Sequence, residues 1–160
     1  MKKPSDLVNL FYRLLYRMAY LALKLSWMIF PRNTNGAQVM LWVNGELLLV
    51  RTSYRNEFTF PGGYINVNET PVSAARRELA EEVNIEIIES NLRFEKIIEY
   101  HEYGRFVTDV FFTCKLNKYP QISIDNREIV EAIFVEPDNA LMLSLHYSAK
   151  YIIEVVTSCK

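Results

Sequence analysis

The chain has 160 residues, half of them apolar and 23% charged, with a formal net charge of −1. That is the profile of a single globular domain able to bury a sizeable core, and it excludes a disordered chain or a strongly basic nucleic-acid binder. The charge is unevenly placed: residues 1–32 carry Lys2, Lys3, Arg13, Arg17, Lys24 and Arg32 against Asp6 alone, a net +5, so the remainder is −6.

The first predicted element is a helix over residues 7–30, free of Gly and Pro. Ser5 or Asp6 can cap its start, and Pro31 with the polar stretch 33–36 stops it. At about 100° per residue, the charges at 6, 13, 17 and 24 fall in a strip roughly 40° wide. The rest of the circumference is Leu, Tyr, Met, Phe and Trp, so the helix cannot stand alone in water. A cleaved secretory signal does not fit, because charges interrupt the apolar run and no small-residue cleavage site follows. A membrane span does not fit either: the longest charge-free run, 25–31, falls far short of the ~20 residues a bilayer requires. Three readings stay open. The helix packs on its own domain, forms a homodimer through residues 7–30, or lies in a membrane surface with Trp27 and Phe30 immersed.

Residues 38–43 and 46–52 read as strands, and Asn44-Gly45 between them is a hairpin signal. A short strand over 58–60 leads into Pro61-Gly62-Gly63. Thr70 suits a helix N-cap and Pro71 the first helical turn. The helix that follows carries Val72, Ala75, Leu79 and Val83 as an apolar stripe. Strands are expected over 85–88, 93–100, 106–116 and 132–135, and helices over 138–143 and 144–157. The last helix has Leu145, Ala149, Ile152, Ile153 and Val156 on one face. Cys114 and Cys159 lack metal-ligand spacing and read as reduced thiols, consistent with a cytoplasmic protein. His101 and His146 belong to no nucleophile motif. The chain divides into a basic apolar helix, 1–32, and an acidic domain, 33–160.

The densest information lies between Gly62 and Ile85. Glu78, Glu81 and Glu82 stand i, i+3, i+4, so their carboxylates share one side of a helix. Like charges so placed repel, and a hard divalent cation with oxygen ligands converts the repulsion into binding. Without the glycines before it, this cluster reads as a solvated acidic face supported by Arg76 and Arg77.

With them, the stretch resembles the Nudix box, G-x5-E-x7-R-E-U-x-E-E-x-G-U with U a bulky apolar residue. Gly63, Glu69, Arg77, Glu78, Leu79, Glu81, Glu82 and Ile85 match, and Asn84 stands where the pattern has glycine. Asn is the usual second choice for a left-handed helix end. The resemblance covers residues 63–85 and implies an α/β/α sandwich around a mixed sheet, with the N-terminal helix ahead of it. It also implies hydrolysis of a phosphoanhydride in a nucleoside diphosphate linked to another group, with Mg²⁺, or Mn²⁺ in its place. The implied metal ligands are Glu78, Glu81 and Glu82, with the Gly63 backbone close by. Glu78 is ligand or general base, and Arg77 orients a box glutamate. Glu69 fastens the loop to the helix. Glu128, ahead of the 132–135 strand, is the expected acidic residue from outside the box, and Glu131 the runner-up. Gly62, Gly63, Tyr64, Arg51 and Tyr100 are the candidate substrate-binding residues. Tyr54, Phe58 and Tyr64 offer rings for stacking on a base. Tyr100 and Tyr103 fall where dinucleoside polyphosphate hydrolases carry a tyrosine, and no NADH-class Ser-Gln-Pro-Trp segment is present. The alternative is a catalytically silent Nudix-fold nucleotide-binding module. The implied partner is a small nucleotide, not a nucleic-acid polymer.

Overall fold

A computed structural model describes residues 4–158. In chain order its elements are α1 (Pro4–Ile29), β1 (Asn33–Val43), β2 (Glu46–Thr52), β3 (Phe58–Thr59), β4 (Gly62–Tyr64) and α2 (Pro71–Val83). A 3₁₀ turn at Glu89–Asn91 follows, then β5 (Arg93–Glu102), β6 (Arg105–Leu116), β7 (Ile129–Val135), the single turn α3 (Pro137–Ala140) and α4 (Tyr147–Ser158).

Asn44 and Gly45 adopt φ of 52° and 89°, the left-handed pair that a tight type I′ hairpin needs. They fold β2 back antiparallel on β1, with Val43 opposite Glu46. On its other side β1 runs parallel to β6 from Asn33 opposite Phe106 to Val43 opposite Leu116. The path of the mixed sheet is β3-β2-β1-β6-β5, with β4 added to β1 and β7 to β2. β1 is covered on both faces, which explains why Val39, Met40 and Leu41 form an unbroken apolar run rather than an alternating one.

The two faces carry separate cores. On one, Ala74, Ala75, Leu79 and Val83 of α2 pack on Ala37, Val39, Leu41, Leu48 and Val50. On the other, Ala149, Ile152 and Ile153 of α4 pack on Met40, Leu47, Leu49, Phe60 and Phe111. This is the expected α/β/α sandwich. Alternation within β2 sends Leu48 and Val50 to one core and Leu47 and Leu49 to the other.

Two sequence expectations fail. Residues 85–88 are not a strand: Ile85 and Ile87 are buried, so the alternation is real, but the segment has no ladder partner. The Ile85 N–H instead donates to the Leu79 carbonyl at the end of α2. The helix expected over 138–143 is only the turn α3. Cys114 is a buried free thiol, while Cys159 lies outside the described residues.

Asn84 ends α2 at φ 58°, ψ 38°, and its N–H donates to the Ala80 carbonyl. The left-handed geometry expected of a box glycine is therefore supplied by asparagine. An Asn84→Gly variant should keep its urea stability within a few tenths of a kcal/mol. Asn84→Ala should lose about 1–2 kcal/mol, because a β-carbon is disfavoured in this conformation.

Candidate active site

The site begins where β4 turns into the loop before α2. The Gly62 N–H donates to Glu82 Oε2 at 2.9 Å. A β-carbon on Gly63 would lie 2.5 Å from Glu78 Oε1, so only glycine lets the strand approach this carboxylate. Thr70 caps α2, its hydroxyl oxygen accepting the Ser73 N–H at 3.2 Å.

Arg77 ties loop and helix together. Its Nε and Nη2 donate to the two oxygens of Glu69 at 2.9 and 3.0 Å, and Nη2 also reaches the Tyr64 carbonyl at 2.9 Å. Nη1 donates to Glu78 Oε1 at 2.7 Å and Glu81 Oε2 at 3.0 Å. The Arg77 hydrogen bond, with the Asn66 N–H, holds the Glu69 carboxyl down to about 2.

The neighbouring carboxyls behave in the opposite sense. Burial raises Glu82 well above its ordinary range; the Gly62 N–H works against this, while Glu78, Glu128 and Glu81 add to it. Burial also raises Glu78, which Arg77 partly offsets. Glu128 is raised by burial and partly restrained by Tyr54, whose hydroxyl donates to its Oε1 at 3.1 Å. Glu81 is the exposed member, its side chain 60% accessible. Among the described residues no three carboxylate, His or Cys side chains converge closely enough to grip an ion as they stand. Glu78 and Glu81 are turned toward Arg77.

Glu82 and Glu128 line a cleft of about 310 Å³ together with Gly62, Gly63, Tyr64 and Tyr100. Arg51 does not line it. It pairs with Glu131 at 2.5 Å across β2 and β7 and stacks near Phe58. Glu78, Glu81 and Arg77 do not line the cleft; Glu78 lies against Gly63 and Arg77 reaches the Tyr64 carbonyl, and both Gly63 and Tyr64 do line it.

Several residues in and around the cleft were not singled out from the sequence. Asp109 is buried and accepts from Gln38 Nε2 and the Tyr100 hydroxyl, each at 2.9 Å. Its one signal was its place as the lone acidic residue of an apolar strand. Glu102 pairs with Arg105, lies 3.6 Å from Arg55 and contacts His146 Nε2 at 3.2 Å. Burial pushes Glu102 up, but His146, Arg55 and Arg105 outweigh it and bring the carboxyl down to about 2. Tyr16, Tyr20 and Trp27 of α1 also face the cleft.

The NUDIX domain family model matches residues 25–156. The chain belongs to the Nudix family. A search among curated proteins returns no significant match. Among solved structures, the Caenorhabditis elegans Ap4A hydrolase in a binary complex is 20% identical with a TM-score of 0.67, covering 78% of this chain and 96% of its own. The NUDIX domain of Shewanella oneidensis NrtR, complexed with ADP ribose, is 16% identical with a TM-score of 0.68, covering 79% and 87%. A bifunctional NMN adenylyltransferase/ADP ribose pyrophosphatase of Francisella tularensis, complexed with AMP and a Mn ion, is 19% identical with a TM-score of 0.69. It covers 92% of this chain, which in turn spans 48% of that protein. The chain is thus a Nudix hydrolase with the Nudix sandwich.

Two stability predictions follow from the charges of this Nudix site. Glu82→Gln should raise the melting temperature of the metal-free protein at neutral pH, since it removes a buried carboxylate crowded by others. Glu102 is depressed in the folded state, so its contribution is complete above its ordinary value of 4.5 and is lost as pH falls toward about 2. Thermal melts of Glu102→Gln should therefore be lower than wild type at neutral pH and flatter across that acid window.

Proposed function

We propose that the cleft hydrolyses a phosphoanhydride bond in a nucleoside diphosphate linked to another group, with Mg²⁺ as the metal and Mn²⁺ as a substitute. The observation that carries this reading is the crowding of Glu78, Glu82 and Glu128, each pushed up by burial, beside a glycine backbone that closes on Glu78. Buried carboxylates that raise one another are stabilised by a hard cation, and an all-oxygen donor set suits Mg²⁺ or Mn²⁺. Glu78, Glu81 and Glu82 would hold it, with the Gly63 backbone alongside. When bound, the ion neutralises phosphoryl charge and lowers the pKa of water.

The chain's own residues supply the rest. Arg77 keeps Glu78 and Glu81 in place without entering the cleft. Glu128, held by Tyr54, accepts the proton of the attacking water, and burial, which raises its pKa, makes it a better base than an exposed carboxylate. Water adds to one phosphorus, the bridging oxygen leaves with the other phosphate, and two shorter phosphates result. The Tyr54 ring, 4.9 Å from that of Tyr20, offers a flat apolar surface for a base. Tyr100 is tied to Asp109 and shapes the opposite wall. The cytoplasm is the place where nucleotide substrates and the reduced Cys114 thiol belong together.

The test is a substrate screen with Mg²⁺ and with Mn²⁺ that includes ADP-ribose, dinucleoside polyphosphates, nucleoside triphosphates, nucleotide sugars and coenzyme A. Turnover should require the metal and disappear with a chelator. Glu81→Gln should lower it on the order of 10²–10⁴-fold. Nucleotide binding with no turnover in either metal would identify a silent binding module instead.

A further inference from the structure

Helix α1 is seated on the domain by its polar and aromatic strip, and its apolar face points away. Arg13 Nε donates to the Asn126 carbonyl at 2.9 Å and Arg17 Nε to the Ser53 carbonyl at 2.8 Å. Trp27 is buried, with the Arg105 guanidinium 4.1 Å from its ring. The seat is specific, because a β-carbon on Gly104 would lie 2.6 Å from the Trp27 carbonyl. On the far side Phe11, Leu14, Met18, Leu21, Leu25 and Ile29 are each between 50% and 69% exposed. With about 100° per residue, the uncharged outward arc is roughly 160° wide. It runs the length of a helix about 39 Å long.

We propose that this face seats α1 in the plane of an anionic lipid bilayer. No helix among the described residues is long and apolar enough to cross a membrane, so the contact is with the surface. A second copy is the poorer occupant on two counts. A two-helix seam covers a narrow stripe and would leave much of so broad an arc wet. Arg17 and Lys24 border the arc, and residues 1–32 carry a net +5, so pairing two such segments sets like charges together. Anionic headgroups meet the same charges favourably. A lipid surface also covers the full width of the arc. The opposite side of α1 contributes Tyr16, Tyr20 and Trp27 to the cleft, so the helix holds the active site against the membrane.

Co-sedimentation of the full chain with phosphatidylglycerol–phosphatidylcholine vesicles, and with phosphatidylcholine alone, tests this. Wild type should bind the anionic vesicles more tightly, and added salt should weaken binding. Met18→Glu/Leu25→Glu should bind about tenfold or more weakly, with its circular dichroism, urea midpoint and soluble-substrate turnover unchanged. Three results would overturn the proposal: wild type that ignores both vesicle types, a double variant that binds as wild type does, or a discrete dimer without vesicle affinity that the double variant makes monomeric.

Discussion

One guanidinium makes the acidic side of α2 tolerable. Glu78 and Glu81 lie within a helical turn of one another, and such pairs destabilise a helix that has nothing to offset them. Arg77 reaches both, and its other edge grips both oxygens of Glu69 and the Tyr64 carbonyl. Isolated ion pairs at a surface are worth little. A single rigid fork shared by three carboxylates and a backbone oxygen differs in kind, because no one contact can loosen without disturbing the others. The loop from Tyr64 to Glu69 is thereby pinned to α2, and Gly63 is held against Glu78.

The cleft depends equally on the central pair of strands. Parallel pairing sets Gly36 opposite Asp109, while antiparallel pairing sets the same glycine opposite Tyr64. A glycine shared by the two pairings brings the β4 loop and the acidic residue of β6 to one wall. β7, added to β2, brings Glu128 to the opposite side near Tyr54. The buried carboxyls are therefore approached from strands far apart in sequence. Desolvation raises Glu78, Glu82 and Glu128, whereas Glu102, with Arg55, Arg105 and His146 around it, falls to about 2. In and around one cleft, similar side chains are thus divided by their partners into groups pushed toward the neutral form and a group held in its charged form.

This division also explains what could be read from the sequence. Glu78, Glu81, Glu82 and Arg77 are local: helix periodicity and the fixed distance from Gly63 place them together before any tertiary contact exists. Asn84 belongs with them, because the left-handed end of α2 is a property of a few consecutive residues. Asp109, Arg55 and the Glu102–Arg105–His146 group are legible only through strand register and the packing of α4, which no local spacing encodes. Arg51 shows the converse. It is near the loop in sequence, but the β2–β7 pairing sets it opposite Glu131 and away from the cleft. At 85–88 Ile85 and Ile87 do enter the core, yet alternation specifies a face and cannot supply a partner strand.

α1 presents the same lesson in a sharper form. Its periodicity shows a charged strip and an apolar arc, and burial of the apolar arc is the ordinary outcome for a helix on a globular domain. Here the sheet surface beneath it is already polar, because Arg105, Arg55 and the Ser53 and Asn126 carbonyls lie there. An apolar face laid there would bury the two carbonyls without donors and strip water from the guanidiniums, a cost that opposes the gain from covering a few leucines. The strip meets them instead: Arg13 and Arg17 donate to the two carbonyls, and the Tyr20 and Trp27 rings face the Arg55 and Arg105 guanidiniums. The orientation of α1 is therefore set by the polarity of the cleft it walls, and the exposed apolar arc is the consequence: a helix that completes a charged cleft must turn its hydrophobic side outward.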